Sequence, residues 1–451
     1  MRALESINSL LNALVWGAPM LALMAGTGLF LTYKLNFFQL TRFGVWWRGT
    51  FGQMTKPKET IRKNEHNISP FQAVSTAMAS TVGTGSIVGV ATAISLGGPG
   101  AIFWMWVSGF FGMATKYCEI VLALKFRETD ENGAYHGGPM YYIQNGLGIK
   151  WLAVLFAVFG ALATFGIGNM TQANAVASSL EGIFGVPPLY TGITLSVITA
   201  TVIIGGIKRI ASVTEKLVPF MAVFYTAGAL IILALNVGGL PGAFRMIFES
   251  ALSLQTAGGG IMGYAMMRAI RYGIARGVFS NEAGLGSAPI AHAASRTKEP
   301  IEQGLWGIFE VFVDTMIICT LTGLVIITAG LYDGGITGAP LVLASFSKTF
   351  GPLGSVFLTI AVLCFAGSTI LGWSYYGQQC LGYLTGNNKT VELCYKLVFS
   401  ALATVGAIGG LTLIWDISDT LNGLMAVPNL IAVLLLHGVV IDLTKRYFAK
   451  R

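Results

Sequence analysis

The chain has 451 residues, of which 54% are hydrophobic and only 11% charged, with a mean hydropathy of +0.68. Soluble domains carry roughly a quarter charged residues, so an ordinary soluble enzyme or binding module is excluded. The net charge of +8 sits in loops between apolar runs, which makes it a signal of membrane topology and not a nucleic-acid footprint.

Apolar runs of bilayer length predict an all-α integral membrane protein of about eleven transmembrane helices. In chain order they cover 12–33, 69–96, 99–124, 149–183, 190–206, 214–236, 264–293, 303–331, 343–384, 391–410 and 415–441. No cleavable signal peptide is expected, because 1–12 holds Arg2 and Glu5 and no small-residue cleavage site follows. The 343–384 run is long enough to tilt or to extend past the bilayer. Lys and Arg collect in alternate loops: Lys34 to Lys63, Lys125 and Arg127, Lys208 and Arg209, Arg296 and Lys298, Lys389, and the tail from Lys445. The positive-inside rule makes these loops cytoplasmic, which puts the N-terminus outside and the C-terminus inside a cell membrane. Arg245, Arg268, Arg271 and Arg276 fall on the other side and fit this rule poorly.

The span 69–96 carries Ser80-Thr81-Val82-Gly83-Thr84-Gly85-Ser86 at mid-depth and no charged residue. Such a sequence lets two helices pack closely, but it also invites the helix to unwind. Unwound backbone is tolerated in a membrane only against protein or a solvated cavity. There, N–H groups at the start of a half-helix hold a carboxylate. Gly83, Thr84, Gly85 and Ser86 would supply those groups, and Thr81 a further hydroxyl. A cation here would need carbonyls and hydroxyls as ligands.

Lys116 and Glu119 share a helix face and read as a structural ion pair. The span 149–183 offers Phe165 to cap a substrate and Asn169 to touch it, among more polar residues than can all be ligands. The span 264–293 is interrupted around Gly277-Val278-Phe279-Ser280-Asn281-Glu282-Ala283-Gly284. Carbonyls near Gly277 and Ser280, with the Asn281 amide, are candidates for an ammonium. Glu282 is an intramembrane carboxylate, with Arg276 as an alternative structural partner. Glu310 and Asp314 share a face and need partners or a proton. In 343–384, Ser368 and Thr369 pair two hydroxyls, which in a membrane helix also bond back to the preceding turn. Trp373 lies about one turn further on the same face, where it closes a pocket or only packs. The five cysteines and four histidines show no metal spacing.

The interrupted spans open two five-span units, 69–236 and 264–441, which an odd number of crossings sets in opposite orientations. Two Gly-interrupted segments in matching positions mark the site of an inverted-repeat transporter. The extra helix is 12–33, and 1–451 is read as one transporter domain.

The stretches 71–100, Gly133-Ala134-Tyr135-His136-Gly137-Gly138-Pro139-Met140-Tyr141-Tyr142, and 277–292 resemble the sodium:alanine symporter family, also called alanine/glycine:cation symporters. The resemblance implies a LeuT-like fold of ten core helices plus one. It implies import of alanine or glycine with sodium as the cotransported ion and no cofactor. It also implies a sodium site at Ser368 and Thr369 with the carbonyls of Ala79, Val82 and Phe365. The sidedness of the loops puts Phe165 near mid-depth, as in the third core helix of the LeuT-like fold. Proton coupling stays open because Glu282, Glu310 and Asp314 exist. An ion channel would want a filter loop or charge rings, and a membrane enzyme a catalytic cluster; neither is visible in the sequence.

Overall fold

A computed structural model describes residues 2–54, 67–252, 260–409 and 412–450. Nearly all of them are helical. Among the described residues eight helices are long and apolar enough to cross a membrane, and a bent pair makes a ninth. Of the other expected spans, Pro188–Ile203 has 16 residues, and Gly260–Asn281 carries Arg268, Arg271 and Arg276. Apolar side chains point outward from the bundle, among them Val197, Val223, Leu235 and Leu397. Such a surface suits lipid, where every backbone group must be satisfied within helices.

The first span runs longer than its apolar core suggests, over Glu5–Lys34. The stretch expected to be a basic loop after it holds a helix, Phe43–Met54. Trp46 on that helix is buried, with its ring 5.6 Å from that of Phe312. Lys56, Lys58, Arg62 and Lys63 lie outside the described residues. Loop 126–138 forms a short hairpin, Glu128–Thr129 pairing with Tyr135–His136. Next to it, Arg127 donates to the carbonyls of Ala293, Ser295 and Thr297 at 3.1, 2.6 and 2.7 Å. One guanidinium thereby fixes the chain leaving the second interrupted span.

The run 343–384 is not one tilted helix. It divides into Gly338–Phe350 and Pro352–Thr385, turning at Gly351, whose φ of +59° favours glycine. Helix Pro352–Thr385 packs on Pro70–Thr81 and on Lys150–Phe165, while Ala101–Lys125 packs on Gly260–Asn281 and Pro300–Val311. The two interrupted spans are held between these pairs.

Candidate functional site

The first interrupted span starts with a capping box. Ser69 Oγ accepts from the Gln72 N–H, the Gln72 side chain accepts from the Ser69 N–H, and Pro70 opens the helix. The helix ends at Thr81, a single 3-10 turn spans Thr84–Ser86, and the chain resumes helix bent by 57°. Inside the break, Gly83 N–H donates to Thr81 O at 3.0 Å and Ser86 N–H to Gly83 O at 3.2 Å. No side chain caps this turn. Its leading N–H groups, those of Thr84 and Gly85, therefore lack a partner inside the helix. Two of the four donors expected from the sequence are spent on the turn itself.

The second break comes later than the glycine pattern suggests. The helix continues through Gly277 to Asn281, and Gly277 serves packing: a Cβ there would lie 2.4 Å from Ser108 Oγ. The chain then unwinds, with Glu282 at φ +55°, Gly284 at +93° and Gly286 at +80°. Holding a glutamate in the left-handed region costs of order 1 kcal/mol. Glu282 Oε2 accepts from Ser287 Oγ at 2.6 Å, and not from Arg276. Asn281 stitches the break, accepting from the Ala283 N–H at 3.0 Å and donating to Thr315 Oγ1 at 3.2 Å.

Between the two breaks lies a small cavity of about 20 Å³. That is room for about one water, so an amino acid would have to enlarge the space. Of the residues singled out in the sequence for substrate, Thr81, Thr84, Gly85 and Trp373 line it. The Thr84 hydroxyl donates to Gln172 Oε1 at 3.0 Å. Ser86 and Ser280 face away: both donate to the buried Asp314 carboxylate, at 2.6 and 2.9 Å.

Phe165 and Asn169 are not in the cavity wall either. The Phe165 ring lies 5.5 Å from Tyr395 and 6.3 Å from Phe399, and Asn169 Nδ2 donates to the Phe399 carbonyl. A π turn over Gly166–Met170 interrupts the middle of Lys150–Phe184. A π turn inserts a residue and rotates everything beyond it. Ile167 and Gln172 face the cavity instead. Sequence reasoning also missed Phe279 and Asn422. Asn422 is 1% exposed, lines the cavity, and its Oδ1 has no hydrogen-bond partner. An amide within an apolar span, which it shares with Asn429, was the available signal.

Beside the cavity, Ser368 and Thr369 each reach the Ala79 carbonyl at 3.2 Å and the Phe365 carbonyl at 2.9 and 2.8 Å. Val82, at the end of the half-helix, is fully buried. Thr369 also lines the cavity, and a Cβ on Gly83 would lie 2.5 Å from its Oγ1. Four oxygens thus converge from two elements, the set a hard cation prefers. Among the described residues no group of three or more His, Cys, Asp or Glu is placed to hold a metal.

A buried ionic network backs the breaks. Lys116 pairs with Glu310 at 3.1 Å and not with Glu119. Glu310 also accepts from Thr81 Oγ1 at 2.5 Å and lies 3.1 Å from His292 Nε2. Glu119 Oε1 accepts from the Gly284 N–H at 3.1 Å and from Asn429 at 2.5 Å. The i,i+3 spacing of Lys116 and Glu119 was compatible with pairing, but Glu310 of helix Pro300–Val311 took Lys116, and Gly284 with Asn429 of the last helix took Glu119.

A model of the sodium:alanine symporter family matches residues 1–451. The chain belongs to that family. Among its relatives, the sodium/alanine symporter AgcS of Methanococcus maripaludis is 51% identical over 98% of this chain and 97% of its own length. The probable sodium/glutamine symporter GlnT of Bacillus subtilis is 38% identical over 98% of this chain and 91% of its own length. The crystal structure of MhsT in complex with L-phenylalanine superposes with a TM-score of 0.59 at 16% identity, covering 82% of this chain and 89% of that one. That likeness shows the LeuT fold alone. This family member is a multi-pass membrane protein built for cation-coupled symport of an amino acid.

Proposed function

We propose that this symporter imports a small neutral amino acid, alanine or glycine, together with sodium by alternating access across the plasma membrane, and catalyses no reaction. The observation that carries the reading is the cavity between the breaks. Its uncapped Thr84 and Gly85 N–H groups suit a carboxylate, while the Asn422 oxygen and Glu282 suit an ammonium. Trp373 and Phe279 leave little room for a side chain. Sodium takes the oxygens of Ala79, Val82, Phe365, Ser368 and Thr369, adjoining the substrate at Thr369. The scaffold is two inverted five-helix units, 69–236 and 264–441, with the N-terminus outside. Uptake of radiolabelled L-alanine and glycine into proteoliposomes under an inward sodium gradient tests the reading. Accumulation that collapses when potassium replaces sodium is expected; gradient-independent equilibration would overturn it.

Proton coupling is the second reading, and one observation favours it. Glu119, Glu282, Glu310 and Asp314 are all at most 3% exposed, with Lys116 as the buried ammonium among them. Four carboxylates against one ammonium require further positive charge or protons at low dielectric. Alanine uptake driven by an inward proton gradient without sodium would establish this reading in place of sodium coupling.

A further inference from the structure

The first and last spans end beside one another around a cavity of about 500 Å³. The first runs over Glu5–Lys34 and the last over Asp416–Ala449, so Lys34 and Lys445 lie where their apolar runs meet water. Arg42, between the first span and helix Phe43–Met54, is the third cation in the lining. Among the described residues no acidic side chain lines this space, and none of the three cations lies within 4 Å of a carboxylate. A basic residue near the end of a helix is expected from the helix dipole, which accounts for Lys34 and Lys445. It does not account for Arg42, nor for three cations lining one space.

The rest of the wall is largely apolar and firmly packed. The Phe38 ring is buried, 5.0 Å from that of Tyr117 and 5.7 Å from that of Phe448. Arg42 lies over the Phe448 ring, 4.8 Å from its centroid. A guanidinium held by its face keeps its N–H edge for an oxyanion. The turn between Lys34 and Arg42 is strained, with Asn36 at φ +54° and Phe37 at φ +52°. Asparagine tolerates the left-handed region, but a phenylalanine there is an outlier. Gln39 braces the turn: its Nε2 donates to Thr32 Oγ1 at 3.0 Å and to the Phe110 carbonyl at 3.3 Å. Strain held in this way gathers at functional sites. The outcome leaves the apolar side chains of Phe37 and Leu40 exposed next to the cations.

We propose that this cavity binds the phosphate of an anionic phospholipid, held by Lys34, Arg42 and Lys445, with the acyl chains against Phe37 and Leu40. Basic pockets between membrane helices at the water boundary suit such head groups. A zwitterionic phospholipid brings its own ammonium, which finds no carboxylate in this lining. A free phosphate would use the three cations and none of the apolar surface beside them. The bound lipid ties the first span to the last. Its site is separate from both breaks and stands whichever amino acid is carried.

Titration of phosphatidylglycerol into the purified full-length protein in dodecyl maltoside, read by native mass spectrometry and by melting temperature, tests this. One phosphatidylglycerol per chain should bind ahead of any other and raise the melting temperature. It should bind roughly tenfold more tightly than phosphatidylcholine with the same acyl chains. Lys34→Gln, Arg42→Gln and Lys445→Gln should each weaken it about fivefold, and the triple variant roughly a hundredfold. All three side chains are exposed, so folding is kept, and the melting temperature without lipid checks it. Lys389→Gln removes the same charge at the start of helix Lys389–Ile408, away from this cavity, and should change nothing. Equal binding of the two lipids overturns the proposal, as does a triple variant that binds phosphatidylglycerol no worse than Lys389→Gln does. Inorganic phosphate and glycerol 3-phosphate should leave the melting temperature unmoved. A shift from either that matches the lipid's would make this a free-anion site and overturn the lipid assignment.

Discussion

Ser368 and Thr369 each share their hydroxyl between two carbonyls, Ala79 from the half-helix and Phe365 from their own helix. A cation entering this cluster would take the lone pairs and leave the hydroxyl protons to turn outward. Losing one such oxygen from a buried site costs about 1–3 kcal/mol, and tenfold in affinity is about 1.4 kcal/mol. Ser368→Ala and Thr369→Ala should each raise the sodium concentration for half-maximal alanine uptake by roughly tenfold or more. Unchanged sodium dependence in the double variant removes both from the ion site. Asn422 presents a different case, a buried acceptor with nothing to accept. A hydrogen bond to a charged group contributes about 1.5–3 kcal/mol. Asn422→Leu should therefore weaken alanine binding by roughly ten- to a hundredfold, with melting temperature held or raised because an orphan polar atom is gone. Binding equal to the intact protein would take the last helix out of ammonium recognition.

At the scale of elements, what the sequence reveals depends on whether the signal is local. The first break was legible because Gly83, Gly85 and the surrounding hydroxyls carry it in seven consecutive residues. Its 57° bend falls where they do. The second break was legible only in outline, since Gly277 looks like a break and is a packing contact. Phe165 and Asn169 were picked by their depth in the membrane and by resemblance, and depth does not tell which way a side chain faces; the π turn at Gly166–Met170 further alters the register beyond it. The Lys116 partner was hidden for another reason: Glu310 lies far along the chain, and nothing in the local pattern announces it. That pair joins helix Ala101–Lys125 to Pro300–Val311, and Glu310 ties both to Thr81 and His292. Breaking such a pair strands a buried charge at about 3–5 kcal/mol. Lys116→Met should lower the melting temperature in detergent by several degrees, and Lys116→Met with Glu310→Gln should recover most of it. A double variant no more stable than the single would show that Glu310 is balanced by its other partners.

At the scale of the whole molecule, orientation is decided by a count and not by any single residue. Lys and Arg near span ends bias a loop toward the cytoplasm, and Lys125, Arg127, Lys208, Arg209, Arg296, Lys298 and Lys389 lie at or beside alternate connections along the chain. Arg268, Arg271 and Arg276 sit within helix Gly260–Asn281 and not in a loop. Two of them line a cavity of about 120 Å³ with Asp419 and Phe279, so they have a local reason to be there and weigh little in the count. Asp333 and Lys389 are both exposed and lie in loops assigned to opposite faces. With the native Cys118, Cys319, Cys364, Cys380 and Cys394 replaced, an impermeant thiol reagent applied to intact cells should label Asp333→Cys at once and Lys389→Cys only after permeabilisation. The reverse pattern would place Arg276 and Asp419 on the cytoplasmic side. The symporter would then meet its substrate first through the loops anchored by Arg127.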